Sequence, residues 1–213
     1  VDPADEQLIA HYPLDGDGLD AVGDRDMVAV GDTSYVDGVS GLAANLDGAG
    51  DFFVQADPNF AVGDALNGGY EITVSCWVKS NLYDTDKGFI IFEEPAGNDD
   101  MDMRYDEAGA TGSGDAVLKM GITTTGGVLQ LETASQSQST RWQHVVMTWQ
   151  SHDRIKGYIN GMESAYTAQS GASGGVLTDL EALIIGRGGK DTDPNSCLLY
   201  TSDAADEEDS VDL

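Results

Sequence analysis

Basic side chains are scarce: 10 Lys and Arg stand against 38 Asp and Glu in 213 residues, a formal charge of −28. A surface this negative repels phosphate and so lacks the backbone neutralisation on which nucleic-acid affinity depends. Attraction to anionic membranes fails for the same reason, and no apolar stretch approaches the roughly 18 residues that a membrane helix needs. Histidine is limited to His11, His144 and His152 and cysteine to Cys76 and Cys197. No HxxxH or CxxC spacing is present, which disfavours zinc. The chain opens at Val1 without Met or an apolar signal region, as expected of a mature or excised segment or of a fragment of a longer reading frame.

What the chain does contain is a succession of short β-rich runs between Gly, Asp and Ser clusters, the pattern of an all-β sandwich or barrel. In Glu71 to Lys79, Ile72, Val74, Cys76 and Val78 alternate with Thr73, Ser75, Trp77 and Lys79, so strand geometry sends the two sets to opposite faces. Arg141 to Gln150 behaves alike, with Val145, Met147 and Trp149 against Trp142, His144, Val146 and Thr148. Both runs read as central strands. Further strands are expected at 8–12, 27–30, 42–46, 51–55, 88–93, 116–122, 127–132, 154–160, 162–166 and 182–186. Asn160-Gly161 joins two of them, since both tolerate the positive φ of a type I′ turn. The acidic, Gly-rich stretch 94–115 reads as a long loop with at most one short strand at 101–105.

The last 17 residues, Cys197 to Leu213, change character after the run GRGGKDTDPNS. Written as codons they resemble a transposase-type sequencing adapter read through in frame, with a natural acidic tail as the bland alternative. The expected division is an N-terminal extension over 1–7, one domain over 8–196 and a non-native tail over 197–213. On that reading the tail contributes nothing to the fold and leaves Cys76 without a disulfide partner.

Six segments in order carry a family resemblance: HYPLDGDG at 11–18, LAANLDGAGDFFVQ at 42–55, EITVSCWVKS at 71–80, RWQHVVMTW at 141–149, IKGYINGME at 155–163 and LIIGRGG at 183–189. Together they resemble the laminin G-like domains of the concanavalin A-like lectin and glucanase superfamily. The resemblance implies an antiparallel jelly-roll β-sandwich used as an accessory module of large secreted or surface proteins, often with a calcium ion. It also implies a closing strand beside the first one. No segment after Ser196 matches that strand, so an unpaired edge is expected at Leu8 to Tyr12.

Calcium takes about six to eight oxygen ligands. A composite site from two Gly-rich turns would use Asp15, Asp20, Asp47 and Asp51, with Asp17, Asp24 and Asp26 nearby; the alternative is that Asp-Gly pairs simply make turns. Catalytic members of the superfamily carry ExDxE or ExDxxE strands, and neither pattern occurs, so the chain reads as a binding module and not an enzyme. Trp77, Trp142 and Trp149 sit in apolar strands and read as core, whereas a sugar-stacking ring should protrude from a loop. Tyr35, Tyr83, Tyr105 and Tyr166 meet that criterion. Arg104, Tyr105 and Asp106 together are the expected ligand-binding set. The expected ligand is a glycan or a cell-surface partner, outside the cell or on its surface; the alternatives are a spacer without ligand and an accessory domain of a glycoside hydrolase.

Overall fold

The computed structural model describes residues 8–55, 57, 61–93, 99–109, 112–187 and 199–202. Among them lie fifteen strands and one single-turn helix, α1 (Val62–Leu66). The strands are β1 (Met27–Val30), β2 (Ser34–Asp37), β3 (Leu42–Leu46), β4 (Phe52–Gln55), β5 (Glu71–Ser80), β6 (Lys87–Glu93), β7 (Asp99–Gly109), β8 (Gly112–Thr124), β9 (Gly127–Thr133), β10 (Gln143–Gln150), β11 (Lys156–Ile159), β12 (Met162–Glu163), β13 (Tyr166–Gln169), β14 (Ala182–Ile185) and β15 (Leu199–Ser202). They build two antiparallel sheets, an eight-stranded β1-β4-β14-β6-β7-β8-β9-β13 and a seven-stranded β12-β11-β10-β5-β15-β3-β2. The expected all-β jelly-roll sandwich is the observed fold.

Alternation explains the core. On the seven-stranded sheet Ile72, Val74 and Cys76 lie opposite Trp149, Met147 and Val145, and all six belong to or pack against one hydrophobic cluster. The eight-stranded sheet supplies Phe53, Ile90, Met103, Met120 and Leu131 to the same cluster. Burial pushes the Cys76 thiol up to about 12, so this free cysteine is a packing residue and not a nucleophile at neutral pH. Asn160 and Gly161 take φ of 51° and 78° between Ile159 and Met162, which pair directly, so the hairpin predicted at this dipeptide is present.

Four expectations are corrected. The acidic stretch after residue 94 is not a loop insertion. Its described residues form the hairpin β7–β8 in the middle of the larger sheet, because Met101, Met103 and Tyr105 alternate with Asp102, Arg104 and Asp106 and all three of the former are fully buried. Tyr105 is a core residue: its ring meets Phe89 edge-on at 5.3 Å and its hydroxyl donates to Gln143 Oε1 at 2.5 Å.

Leu8 to Tyr12 is not a strand. Its polar groups turn instead to the loop that follows: the His11 N–H donates to Asp20 Oδ1 at 3.0 Å, the His11 carbonyl accepts the Ala21 N–H at 2.8 Å, and the Ile9 carbonyl accepts Arg25 Nη1 at 3.2 Å. Finally, within the stretch after Ser196, Leu199–Ser202 enter the fold as β15, which pairs with β3 at Ala44 to Leu46 and with β5 at Trp77 to Ser80. The extension over 1–7, Cys197 and residues 203–213 lie outside the described residues.

Two outcomes follow from this packing. Tyr105→Ala should destabilise the fold by about 3–5 kcal/mol in urea denaturation, and Tyr105→Phe, which loses only the hydrogen bond to Gln143, by about 1 kcal/mol. A chain ending at Ser196 should melt below one ending at Ser202, because two ladders lose their shared strand; equal melting temperatures would show that β15 adds nothing.

Candidate functional site

The outward face of β7 carries a row of charged side chains. Opposite Arg104 lie Gly88 on β6 and Lys119 on β8, opposite Asp102 lies Gly121, and opposite Lys119 lies Glu132 on β9. The result is a chain of five charged groups. Arg104 Nη1 is paired with Asp102 and its Nε lies 3.6 Å from Asp106 Oδ2. Lys119 Nζ lies 2.8 Å from the same Asp106 oxygen and 3.2 Å from Glu132 Oε1. Arg104 is the most open, with one third of its side chain exposed, while Asp106, Lys119 and Glu132 are exposed by 16%, 19% and 17%.

Partial burial makes this network more than a surface decoration. Burial by itself disfavours the Lys119 ammonium, but its hydrogen bonds to Asp106 and Glu132 outweigh that loss and hold its pKa above the usual lysine value. A glycine shapes the floor. A Cβ on Gly121 would stand 2.5 Å from Asp102 Oδ1, so any larger residue would displace the carboxylate that Arg104 engages. Planar donors and acceptors held in this way are suited to hydroxyl groups, which need oriented hydrogen bonds and no net charge.

Of the expected ligand set, the structure therefore keeps Arg104 and Asp106 on one face and sends Tyr105 to the other. Asp102, Lys119 and Glu132 are the additions. Their signal was the alternation of charged and apolar residues in 101–106 and 117–122, hidden by the acidic composition. The loop between β5 and β6 reaches the same end of β7, where Asp86 Oδ1 accepts the Glu107 N–H at 2.8 Å. That loop carries Tyr83, 46% exposed. Tyr35 is half-buried, and Tyr166 is held by Glu163 Oε1 at 2.9 Å and by the Gly157 N–H at 3.1 Å. Trp149 is buried in the core, as predicted. Trp77 is only half-buried and stacks on His144 with ring centroids 5.2 Å apart.

The acidic turns separate into two roles. Asp20 accepts the N–H groups of His11, Val22 and Arg25, and Asp15 Oδ1 accepts that of Leu42 at 2.8 Å. Asp17 Oδ1 accepts the Leu19 N–H at 3.1 Å. Asp17 and Asp20 close turns in the loop before β1, and Asp15 ties that loop to the start of β3. Asp47 and Asp51 come together with Asp32, and one oxygen from each lies within 4.8 Å of the others. Asp32 was not singled out from sequence, yet the register Val30 opposite Phe52 leads to it: one step further sets Gly31 beside Asp51. A Cβ on Gly31 would stand 2.2 Å from Asp51 Oδ1. Three hard oxygen donors around a space kept open by glycine fit a calcium ion; Asp51 would give its remaining lone pairs, since its oxygens already accept the N–H groups of Asp32 and Asp47.

Comparison with known proteins places the architecture. The structure is similar to the binding domain of Paraclostridial Mosquitocidal Protein 1, with a TM-score of 0.66 and 12% identity over 93% of this chain and 48% of that one. It is similar to domain 4 of AbnA, a GH43 extracellular arabinanase from Geobacillus stearothermophilus solved with arabinotriose, with a TM-score of 0.61 and 22% identity over 92% of both chains. A botulinum neurotoxin type C structure, described as depending for cell entry on two ganglioside molecules, aligns with a TM-score of 0.64 and 11% identity over 92% of this chain and 46% of that one. The chain thus spans about half of the toxin domains it resembles and nearly all of the arabinanase domain. Comparison with curated proteins gives no match. The family model described as the concanavalin A-like lectin/glucanases superfamily, of laminin G type, matches residues 54–197, and the chain belongs to that family.

Proposed function

We propose that the chain is a non-catalytic carbohydrate-binding module, working outside the cell or on its surface as part of a larger protein. The observation that carries this reading is the half-buried network on β7, β8 and β9, which offers oriented donors and acceptors to sugar hydroxyls. Tyr83 would supply the flat apolar surface against which a pyranose or furanose ring packs its C–H face. The likeness to an arabinanase domain solved with arabinotriose and to a ganglioside-dependent toxin supports a glycan as the ligand class. Against catalysis stands the filling of the site: glycoside hydrolysis needs two carboxylates with room between them for a sugar oxygen or a water, and here the Lys119 ammonium occupies the space between Asp106 and Glu132.

Arabino-oligosaccharides and a glycan array are the direct test. Arg104→Ala and Tyr83→Ala should each weaken binding about tenfold or more, a loss of roughly 1.4 kcal/mol, with melting temperatures near that of the parent chain. Absence of binding to any glycan would leave a spacer domain, and release of reducing ends from a polysaccharide would make the chain an enzyme.

We also propose that Asp32, Asp47 and Asp51 hold calcium. The ion would clamp the end of β1 to the turns that flank β4, and a ligand bound only by the native state adds about 2.7 kcal/mol at one hundred times Kd. Millimolar calcium should therefore raise the melting temperature over that in chelator, and Asp32→Asn should abolish the difference. An identical melting curve in the two conditions would reduce the three carboxylates to turn chemistry.

A further inference from the structure

We propose that Gln138 is a positioning residue: its buried side-chain amide locks the loop between β5 and β6 in the conformation that presents Tyr83 at the end of β7. Gln138 is 2% exposed and lies in the connection between β9 and β10, far from that loop in sequence. Its Oε1 accepts the Thr85 N–H at 3.1 Å and its Nε2 donates to the Thr85 carbonyl at 3.1 Å. The amide thus pairs with both backbone groups of one residue, as a residue of a neighbouring antiparallel strand would. Nε2 also lies 3.4 Å from Ser80 Oγ and 3.5 Å from the Leu82 carbonyl oxygen. Ser80 Oγ in turn donates to the Leu82 carbonyl at 2.5 Å, and Asp86 at the other end accepts the Glu107 N–H. The loop is fastened at both ends and at Thr85, while Leu82 and Tyr83 stay 50% and 46% exposed.

The loop has reasons to open that this amide opposes. Asp84 takes a φ of 57°, a conformation that costs a non-glycine residue energy. Asp84 Oδ1 and Thr85 Oγ1 are buried without a hydrogen-bond partner among the described residues, and a buried polar atom left unmet costs more than an ordinary hydrogen bond returns. Opening would release both oxygens to water, so a contact from elsewhere in the chain has to hold the loop shut, and Gln138 supplies it. Gln138 is itself anchored. Its N–H donates to the Ala116 carbonyl at 2.9 Å, and the carbonyl of its neighbour Ser137 accepts Gln143 Nε2 at 3.0 Å, while Gln143 Oε1 accepts the Tyr105 hydroxyl. The relay runs from the core side of β7 to the loop, so the strand that carries Arg104 also sets where Tyr83 stands. A ring held in place beforehand loses less freedom on binding than one on a loose loop. The lock follows from this geometry alone; its use in binding rests on the carbohydrate reading above.

The test uses the whole chain and Gln138→Met, which removes the amide and keeps an unbranched side chain of similar length. Chymotrypsin cleavage after Leu82 and Tyr83, well below the melting temperature, should be at least about tenfold faster than in the parent. It should stay close to the parent rate in Ile72→Val, which loses core packing at the far end of β5. Affinity for arabinotriose should fall about tenfold in Gln138→Met, as in Tyr83→Ala, and the double variant should lose no more than either alone, whereas the loss should add to that of Arg104→Ala. Where Gln138→Met is too unstable to assay, Gln138→Glu, which keeps the acceptor for the Thr85 N–H but sets a carboxylate oxygen against the Thr85 carbonyl, should give the same pattern. Cleavage at the parent rate, or raised equally in Ile72→Val, would overturn the lock. Additive losses for Gln138→Met and Tyr83→Ala would overturn the positioning role. A parent chain that binds neither arabinotriose nor any arrayed glycan would overturn the carbohydrate reading and the positioning role with it, and the cleavage result would then decide the lock alone.

Discussion

The pleat of β7 is the constraint from which the rest of the molecule follows. Arg104 and Tyr105 are adjacent in sequence, and a strand must send them to opposite sides. One side closes the core, where Met101, Met103 and Tyr105 are fully buried. The other side carries Asp102, Arg104 and Asp106, and the neighbouring strands β8 and β9 answer with Lys119 and Glu132. A one-residue slip of β7 against β8 would bury three charges and expose three large apolar side chains, so the register that builds the core also builds the polar face. The polar face and the stability of the core are in this way coupled through backbone geometry, although no side chain of the network contributes to the apolar cluster.

The same logic explains why so many aspartates are tolerated. Turns between antiparallel strands leave backbone N–H groups without strand partners, and a short carboxylate accepts them without a long side chain to order. Asp15, Asp17, Asp20 and Asp51 all accept such groups. Part of the acidity is therefore structural. What distinguishes the Asp51 turn is that two further carboxylates converge on it with Gly31 leaving the space open. Mutual repulsion among three carboxylates is a cost that turn formation alone does not require, and the proposed calcium ion would offset it.

Legibility in the sequence followed the strength of the alternation. The strands β5 and β10, with apolar residues at every second position, were readable to within a residue or two, and the turn at Asn160-Gly161 came from its positive-φ chemistry. The β7 strand obeys the same period, but its outward half is charged and its surroundings are rich in Gly and Asp, so composition argued for a loop where periodicity argued for a strand. Leu8 to Tyr12 failed in the opposite sense. Its pattern suits a strand, yet Asp20 and Arg25 draw its polar groups into a local turn that only the three-dimensional structure reveals. Asp32 could have been reached from sequence once β1 was paired with β4, because the register fixes the neighbour of Asp51; the pairing itself is a long-range fact.

If the polar face binds a glycan as proposed, charge would decide between ligand classes there. The chain as a whole repels anions, but the network holds two of the ten basic side chains, both already engaged by carboxylates. To recruit them, an anionic sugar would have to displace Asp102, Asp106 or Glu132 from their partners and leave a carboxylate partly buried without its counter-charge. A neutral sugar asks for no such exchange, since its hydroxyls can donate to the carboxylates and accept from the guanidinium while every ion pair stays in place. On the proposed carbohydrate-binding reading, the arrangement that stabilises the charged face would also favour an uncharged polyol, with Arg104, the most exposed member, offering its remaining donors.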